Sequence, residues 1–153
     1  MTDNIENFNA ISGLIFAQLY ARFPMKEDLD EVAIAKALGV EIIDASAPDW
    51  SGPKLYNFGE VSPGLPLRKM LWAACTWLRD ERFIRAEGEF ADREMVLTTK
   101  ALTAMNAHPK SLDGTLGKRL QSAAKSAGTE AGKKAISETV GQIIGAAAKS
   151  FLS

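Results

Sequence analysis

Residues 76–106 read TWLRDERFIRAEGEFADREMVLTTKALTAMN, and the changes of periodicity within that stretch decide the fold. Its first residues close a helix that begins near Pro66, a residue suited to a first helical turn because it has no N–H to leave unpaired. Over that helix Leu67, Met70, Leu71, Ala74, Trp77 and Leu78 recur at the spacing of one buried stripe. Arg68, Lys69, Trp72, Thr76 and Arg79 fall toward the other side. The pattern then turns strand-like over 83–87 and 93–97, with a hairpin tip at 88–92 around Gly88. Thr98 or Thr99 caps a short helix over 101–107, and Pro109 closes the unit.

Upstream, Ile5, Phe8, Ile11, Ile15 and Leu19 form one apolar face of an amphipathic helix over 4–23, ended by Pro24. A second helix follows, with Asp28 as N-cap and Glu31 completing a capping box. Leu29, Val32, Ala35 and Leu38 face inward, and Gly39 provides the left-handed closing residue. Residues 40–43 suggest a short strand. The connector over 44–64 carries Pro48, Pro53, Pro63, Gly52, Gly59 and Gly64 together with Trp50, Tyr56 and Phe58. It is long for a structureless connection in a small domain. Its aromatics either cover core surface or present a binding edge.

Helix, helix, connector, helix, two-stranded hairpin, helix is the order of a winged-helix domain. Residues 76–106 carry that resemblance: a helix ending in an aromatic-Leu pair, a charged turn, a Phe-Ile strand, a wing, then Leu-Thr opening a helix. Over residues 4–109 the chain resembles bacterial winged-helix (winged helix-turn-helix) proteins at the level of fold. In DNA-binding members the third helix enters the major groove and the wing touches phosphates. Carried onto this chain, the resemblance implies Arg68, Lys69, Thr76 and Arg79 on the helix and Arg85 and Arg93 on the wing as candidate nucleic-acid contacts. Charge argues the other way. Residues 65–100 hold seven basic and six acidic side chains, and Glu87, Glu89, Asp92 and Glu94 on the wing would face phosphate.

Beyond residue 110 the most regular pattern in the chain begins. Every fourth residue is apolar or small: Leu116, Leu120, Ala124, Gly128, Gly132, Ile136, Val140, Ile144, Ala148 and Leu152. This row is the candidate tail interface. A step of four residues drifts about 40° around an α-helix, so the row winds once around a straight one. Either the chain breaks within 128–132 into two helices, or one long helix wraps its partner. Gly128 with Gly132 and Gly141 with Gly145 are pairs that let helix backbones approach closely. Interior glycine also costs about 1 kcal/mol relative to alanine, so the tail needs a partner to order on.

The net charge of −1 conceals a division: residues 1–109 hold 11 Lys/Arg against 16 Asp/Glu, and residues 110–153 hold 7 against 3. An acidic head and a basic tail are electrostatically matched. The hydrophobic content of 46% supports a real core and excludes global disorder. One cysteine, Cys75, excludes an internal disulfide and a multi-cysteine metal site, and its apolar helical setting makes it a core residue. His108 has no His or Cys nearby to make a zinc site. Two glycine-bearing stretches have a superficial likeness to a phosphate loop. Gly114, Gly117 and Lys118 lack the first glycine, since Leu112 stands there, and Arg119 replaces the magnesium-binding hydroxyl. Gly128, Gly132 and Lys133 fail likewise at Ala127 and Lys134.

The expectation is a mostly helical α+β protein: a winged-helix-like domain over 1–109 with a small hairpin, then a Gly/Ala-rich, basic amphipathic tail over 110–153. Neither a secretory signal nor an apolar run of the ~18 to 20 residues a spanning helix needs is present, so a cytoplasmic location is expected. No catalytic residue, metal, cofactor or small-molecule substrate is indicated. The chain reads as a non-enzymatic interaction or assembly protein whose partner is another protein, itself or heterologous. Two alternatives stand beside it: a DNA-binding transcriptional regulator dimerised by its tail, and an effector that binds a membrane surface through the basic tail.

Overall fold

The computed structural model describes residues 4–106 and 114–152, with side chains up to Lys149. Six helices dominate: α1 (Asn4–Arg22), α2 (Glu31–Leu38), α3 (Leu67–Asp80), α4 (Thr99–Met105), α5 (Leu116–Ala124) and α6 (Glu130–Leu152). Three antiparallel strand pairs accompany them: β1 (Ile42–Asp44) with β2 (Tyr56–Phe58), β3 (Glu60–Ser62) with β4 (Leu65–Pro66), and β5 (Ile84–Ala86) with β6 (Met95–Leu97). The chain is therefore a mostly helical α+β protein.

The first helix has a different role from the one its spacing predicts. A single apolar stripe would leave α1 on the surface, yet Ala10, Ile11, Ser12, Gly13, Leu14, Ile15, Phe16 and Leu19 are all buried. Helix α1 packs against α2, α3, α5, α6 and β6, so it is apolar nearly all round because it has neighbours nearly all round. Ile5, expected to face inward, is 70% exposed at its free end. Polar pairs set the approach of its neighbours: Gln18 exchanges two hydrogen bonds with the Asp30 backbone (3.1 and 3.2 Å), and Asn9 donates to Ser137 Oγ on α6 (3.0 Å).

The capping of α2 also differs. Asp30, not Asp28, is the N-cap, accepting from the Ala33 N–H at 3.0 Å. Asp28 is occupied elsewhere, accepting from the Glu94 N–H at 2.9 Å. Next to it Glu27 bridges Met95 with two backbone hydrogen bonds (2.8 and 3.0 Å), which lays an extended segment alongside β6. That pairing holds residues 27–29 out of the helix and moves its start to Glu31. Gly39 closes α2 at φ 71°, a left-handed position open to glycine without penalty.

The connector folds as two small hairpins, β1–β2 and β3–β4. Phe58 is half-buried against the core, while Trp50 is half exposed and donates its indole N–H to the Pro53 carbonyl at 2.6 Å. The β5–β6 hairpin pairs Ile84 with Leu97 and Ala86 with Met95, a shorter ladder than the sequence suggests. Thr98 caps α4, accepting from the Ala101 N–H at 3.3 Å. The expected closure at His108 and Pro109 lies outside the described residues.

The tail forms two helices joined through residues 125–129. Thr115 caps α5, and Thr129 caps α6 by accepting from the Gly132 N–H (2.9 Å). Leu116, Leu120, Gly132, Ile136 and Val140 are buried, and so are Ile143 and Ala147. These side chains belong to the same core as Ile11, Ile15 and Phe16 of α1. The expected row is corrected at the junction between the two helices and beyond Val140. Ala124 and Ile144 are half-buried, Gly128 and Ala148 are exposed, and the Leu152 side chain lies outside the described residues. The drift of a four-residue step explains the change, since after Val140 the inward direction passes to Ile143 and Ala147.

Within the row Gly132 is closely approached by the Ser126 backbone, but the close approach between α1 and the tail is at a glycine the tail pattern does not contain. A Cβ on Gly13 of α1 would overlap the Ile136 methyl and press on Val140 and Leu120. Gly141 and Gly145, expected at a helix crossing, are exposed with nothing near a Cβ. In urea unfolding Gly13→Ala is expected to destabilise by about 1–3 kcal/mol despite its better helix propensity, because the stiff β-branched Ile136 cannot rotate away. Gly141→Ala and Gly145→Ala are expected to stabilise by roughly 0.5–1 kcal/mol each.

Candidate functional site

Helix α3 offers the chain's largest exposed aromatic side chains outside the connector. Leu67, Leu71, Ala74, Cys75 and Leu78 face the core, and that register directs residues 68, 69, 72, 73 and 80 to solvent. Trp72 is 58% exposed and has neither hydrogen bond nor ring contact among the described residues. Trp77, expected in the buried stripe, is instead 39% exposed. It stacks on Phe83 (6.1 Å, 16°) and meets Phe8 edge-on (5.2 Å, 84°), so it closes the core's rim and still shows part of its ring. Lys100 lies 4.6 Å from the Phe83 ring centroid and donates to the Glu81 carbonyl (2.8 Å).

The six candidate nucleic-acid contacts do not form one free basic surface. Arg68 pairs with Glu31 (3.3 Å), donates to the Tyr56 carbonyl (3.0 Å) and stacks over Phe58 (5.1 Å), joining α3 to α2 and β2. Thr76 is half-buried, and its Oγ1 is buried without a partner among the described residues. That orientation corrects its expected place on the outer face. Arg79 is half-buried, whereas Lys69 and Arg85 are exposed. Arg93 rests over Phe90 at the wing tip (5.9 Å). The β5–β6 hairpin is braced by carboxylates: Lys26 pairs with Glu87 (3.1 Å), and Asp28 holds the Glu94 backbone. Arg82 and Glu94 sit at φ 64° and 47°, a region that costs L-residues energy, at the two turns that frame the hairpin.

Depressions lie elsewhere, among them two beside α6. A cleft of about 540 Å³ between α1 and α6 has an apolar floor that includes Ile11, Val40 and Val61 and a rim of mixed charge at Glu6, Lys133, Lys134 and Glu138. A more open groove runs between α5 and α6. Among the described residues no group of three His, Cys, Asp or Glu is placed to hold a metal ion, and no helix is long and apolar enough to cross a membrane. Comparison with protein-family models, with curated proteins and with solved structures finds no match to this chain.

What sequence reasoning missed here is the aromatic rim. Trp77 shares the heptad-like spacing of the core stripe, and only Phe8 from α1 and Phe83 from β5 turn it into a half-exposed surface. Cys75 is fully buried, and burial, followed by the charges of Asp92 and Glu31, pushes its thiol up to about 12 from an ordinary 9.0. A thiol reagent should leave the native chain untouched at pH 8 and modify it after denaturation. Because the folded thiol resists ionisation, its stabilising contribution is complete below pH 9 and declines as pH rises from 9 toward 12. Urea midpoints measured across that window should fall for the wild type and fall less for Cys75→Ala.

Proposed function

We propose that this chain is a non-enzymatic interaction protein on a winged-helix-like scaffold, and that the outer face of α3 is its contact surface for another protein. One observation carries the reading. Where a DNA reader would present hydrogen-bonding side chains, α3 presents Trp72 and part of Trp77, the residue type most enriched at interface hot spots. Element order supports the scaffold: α1, an extended segment at Glu27 paired with β6, α2, α3, then the β5–β6 hairpin. The two hairpins over 39–66 separate α2 from α3 and are an elaboration on that order.

The DNA-binding alternative is weakened by the same geometry. Phosphate affinity depends on free cationic side chains. Arg68 is engaged with Glu31 and the Tyr56 carbonyl, Arg79 is half-buried, and Arg85 and Arg93 share their hairpin with Glu87, Glu89, Asp92 and Glu94. Binding to a membrane surface through the tail is weakened too, because Ile136, Val140, Ile143 and Ala147, which would enter the lipid, are the residues α6 buries. Assembly through the tail row meets the same objection, and α3 is the better surface.

Light scattering on the full chain over a range of concentrations tests the reading. Self-association that Trp72→Ser abolishes, with an unchanged thermal midpoint, is the expected outcome. Fluorescence anisotropy with a duplex oligonucleotide at low salt should show no saturable binding. Steeply salt-dependent binding, lost on Lys69→Ala and Arg85→Ala, would instead make the chain a DNA-binding protein.

A further inference from the structure

The open groove between α5 and α6 encloses about 680 Å³. Its polar lining is Lys118, Arg119, Ser122, Ser126 and Thr129, and the rest is glycine and alanine, too small to fill the space. No carboxylate lines it among the described residues. Glu130, the nearest acid in sequence to Thr129, lines the separate cleft against α1. The groove is thus rich in donors and poor in acceptors. Lysine and arginine carry three and five N–H donors and accept nothing.

The state of those donors is informative. Arg119 is half-buried, and its Nε is fully buried with no hydrogen-bond partner among the described residues. A buried, unpaired guanidinium N–H is costly, but this Nε is itself covered by protein, and Arg119 lines the groove through its other atoms. Lys118 is exposed and makes no ion pair among the described residues, and the Ser122 and Ser126 hydroxyls make no hydrogen bond there. Thr129 is excluded from the donor set, because its hydroxyl gives its proton to the Ser126 carbonyl (2.8 Å) and accepts from Gly132 (2.9 Å). Two cations with two free hydroxyls, and no carboxylate among the described lining residues, match a tetrahedral oxyanion.

Both glycine-bearing stretches that fall short of a nucleotide loop border this groove, Gly114 and Lys118 on one side and Thr129 and Gly132 on the other. Neither supplies the spacing a triphosphate with magnesium requires. The demand of a single phosphate is smaller. We propose that the α5–α6 groove binds one phosphate group, with Arg119 and Lys118 as cationic contacts and Ser122 and Ser126 as hydroxyl donors. The group belongs to a soluble phosphate ester or to the headgroup of an anionic lipid. This inference is independent of the α3 surface.

The test is a titration of the full-length ¹⁵N-labelled chain with inorganic phosphate, ionic strength being held constant with chloride. Saturable amide shifts confined to residues 114–135 are expected. Lys118→Ala and Arg119→Ala should each weaken the interaction about tenfold, the usual worth of a charge-assisted hydrogen bond. Lys125→Ala, an exposed cation outside this groove, should leave it unchanged. Shifts that never saturate, or an equal response to Lys125→Ala and Lys118→Ala, would overturn the proposal as general charge screening. If Arg119→Ala does not fold, Lys118→Ala and Ser126→Ala decide. Co-sedimentation with phosphatidylcholine vesicles, with and without phosphatidate, separates the two sources. Sedimentation that needs phosphatidate and weakens in Lys118→Ala identifies a lipid headgroup. Saturable phosphate binding without sedimentation identifies a soluble ester.

Discussion

Where α1 crosses the tail helices, Gly13 has no side chain to place, and Ile136, Val140 and Leu120 occupy the space a Cβ would need. Most of the architecture depends on that close approach. It lets α5 and α6 lie against α1, so the tail completes the core in which Ile11, Ile15 and Phe16 are fully buried. Without it, the apolar circumference of α1 would have too few neighbours to cover it. Dispersion contacts are short-ranged, and a gap of even an ångström on one side of a helix forfeits much of their strength.

A second consequence concerns surfaces. A tail helix that has buried Ile136, Val140, Ile143 and Ala147 turns Gly141, Gly145 and Lys149 to solvent, which is a poor surface for association. Other exposed apolar side chains are scattered over α1, the connector and the β5–β6 hairpin, and α3 carries the two tryptophans outside the connector. There Trp77 is held by Phe8 and Phe83 at the edge of the core, and Trp72, little more than one turn away, has nothing over it. Arg68, one of the candidate nucleic-acid contacts, is drawn to Glu31 and Phe58. The same ion pair that fixes α3 to α2 takes a cation from the outer face.

Much of the helical framework was legible. Pro66, Gly39, Thr98 and the stripe through Leu67, Leu71, Ala74 and Leu78 act locally, through φ preference, capping and 3.6-residue periodicity, and they sit where those forces put them. Long-range pairing produced the departures. Asp28 has the chemistry of an N-cap, but Glu27 pairs with Met95, and the carboxylate is taken by the Glu94 N–H. Thr76 has the polarity of an outer-face residue, but the register that buries Cys75 takes its hydroxyl inward. The candidate surface was half visible: Trp72 falls on the outward side in any helical projection, whereas Trp77 does not.

The sequence by itself determined most of the helices, the β5–β6 hairpin, the acidic head and basic tail, and the absence of a complete nucleotide loop, because propensity, capping and charge are properties of short segments. Tertiary structure alone decided that the tail packs on α1, which side of α6 is buried beyond Val140, and that α3 keeps an aromatic face. The reason is geometric. A four-residue row rotates about 40° at each step, so no single row can name its own inward side over a long helix. The partner that selects that side is a glycine more than a hundred positions away, whose missing side chain leaves no trace in the tail's own pattern.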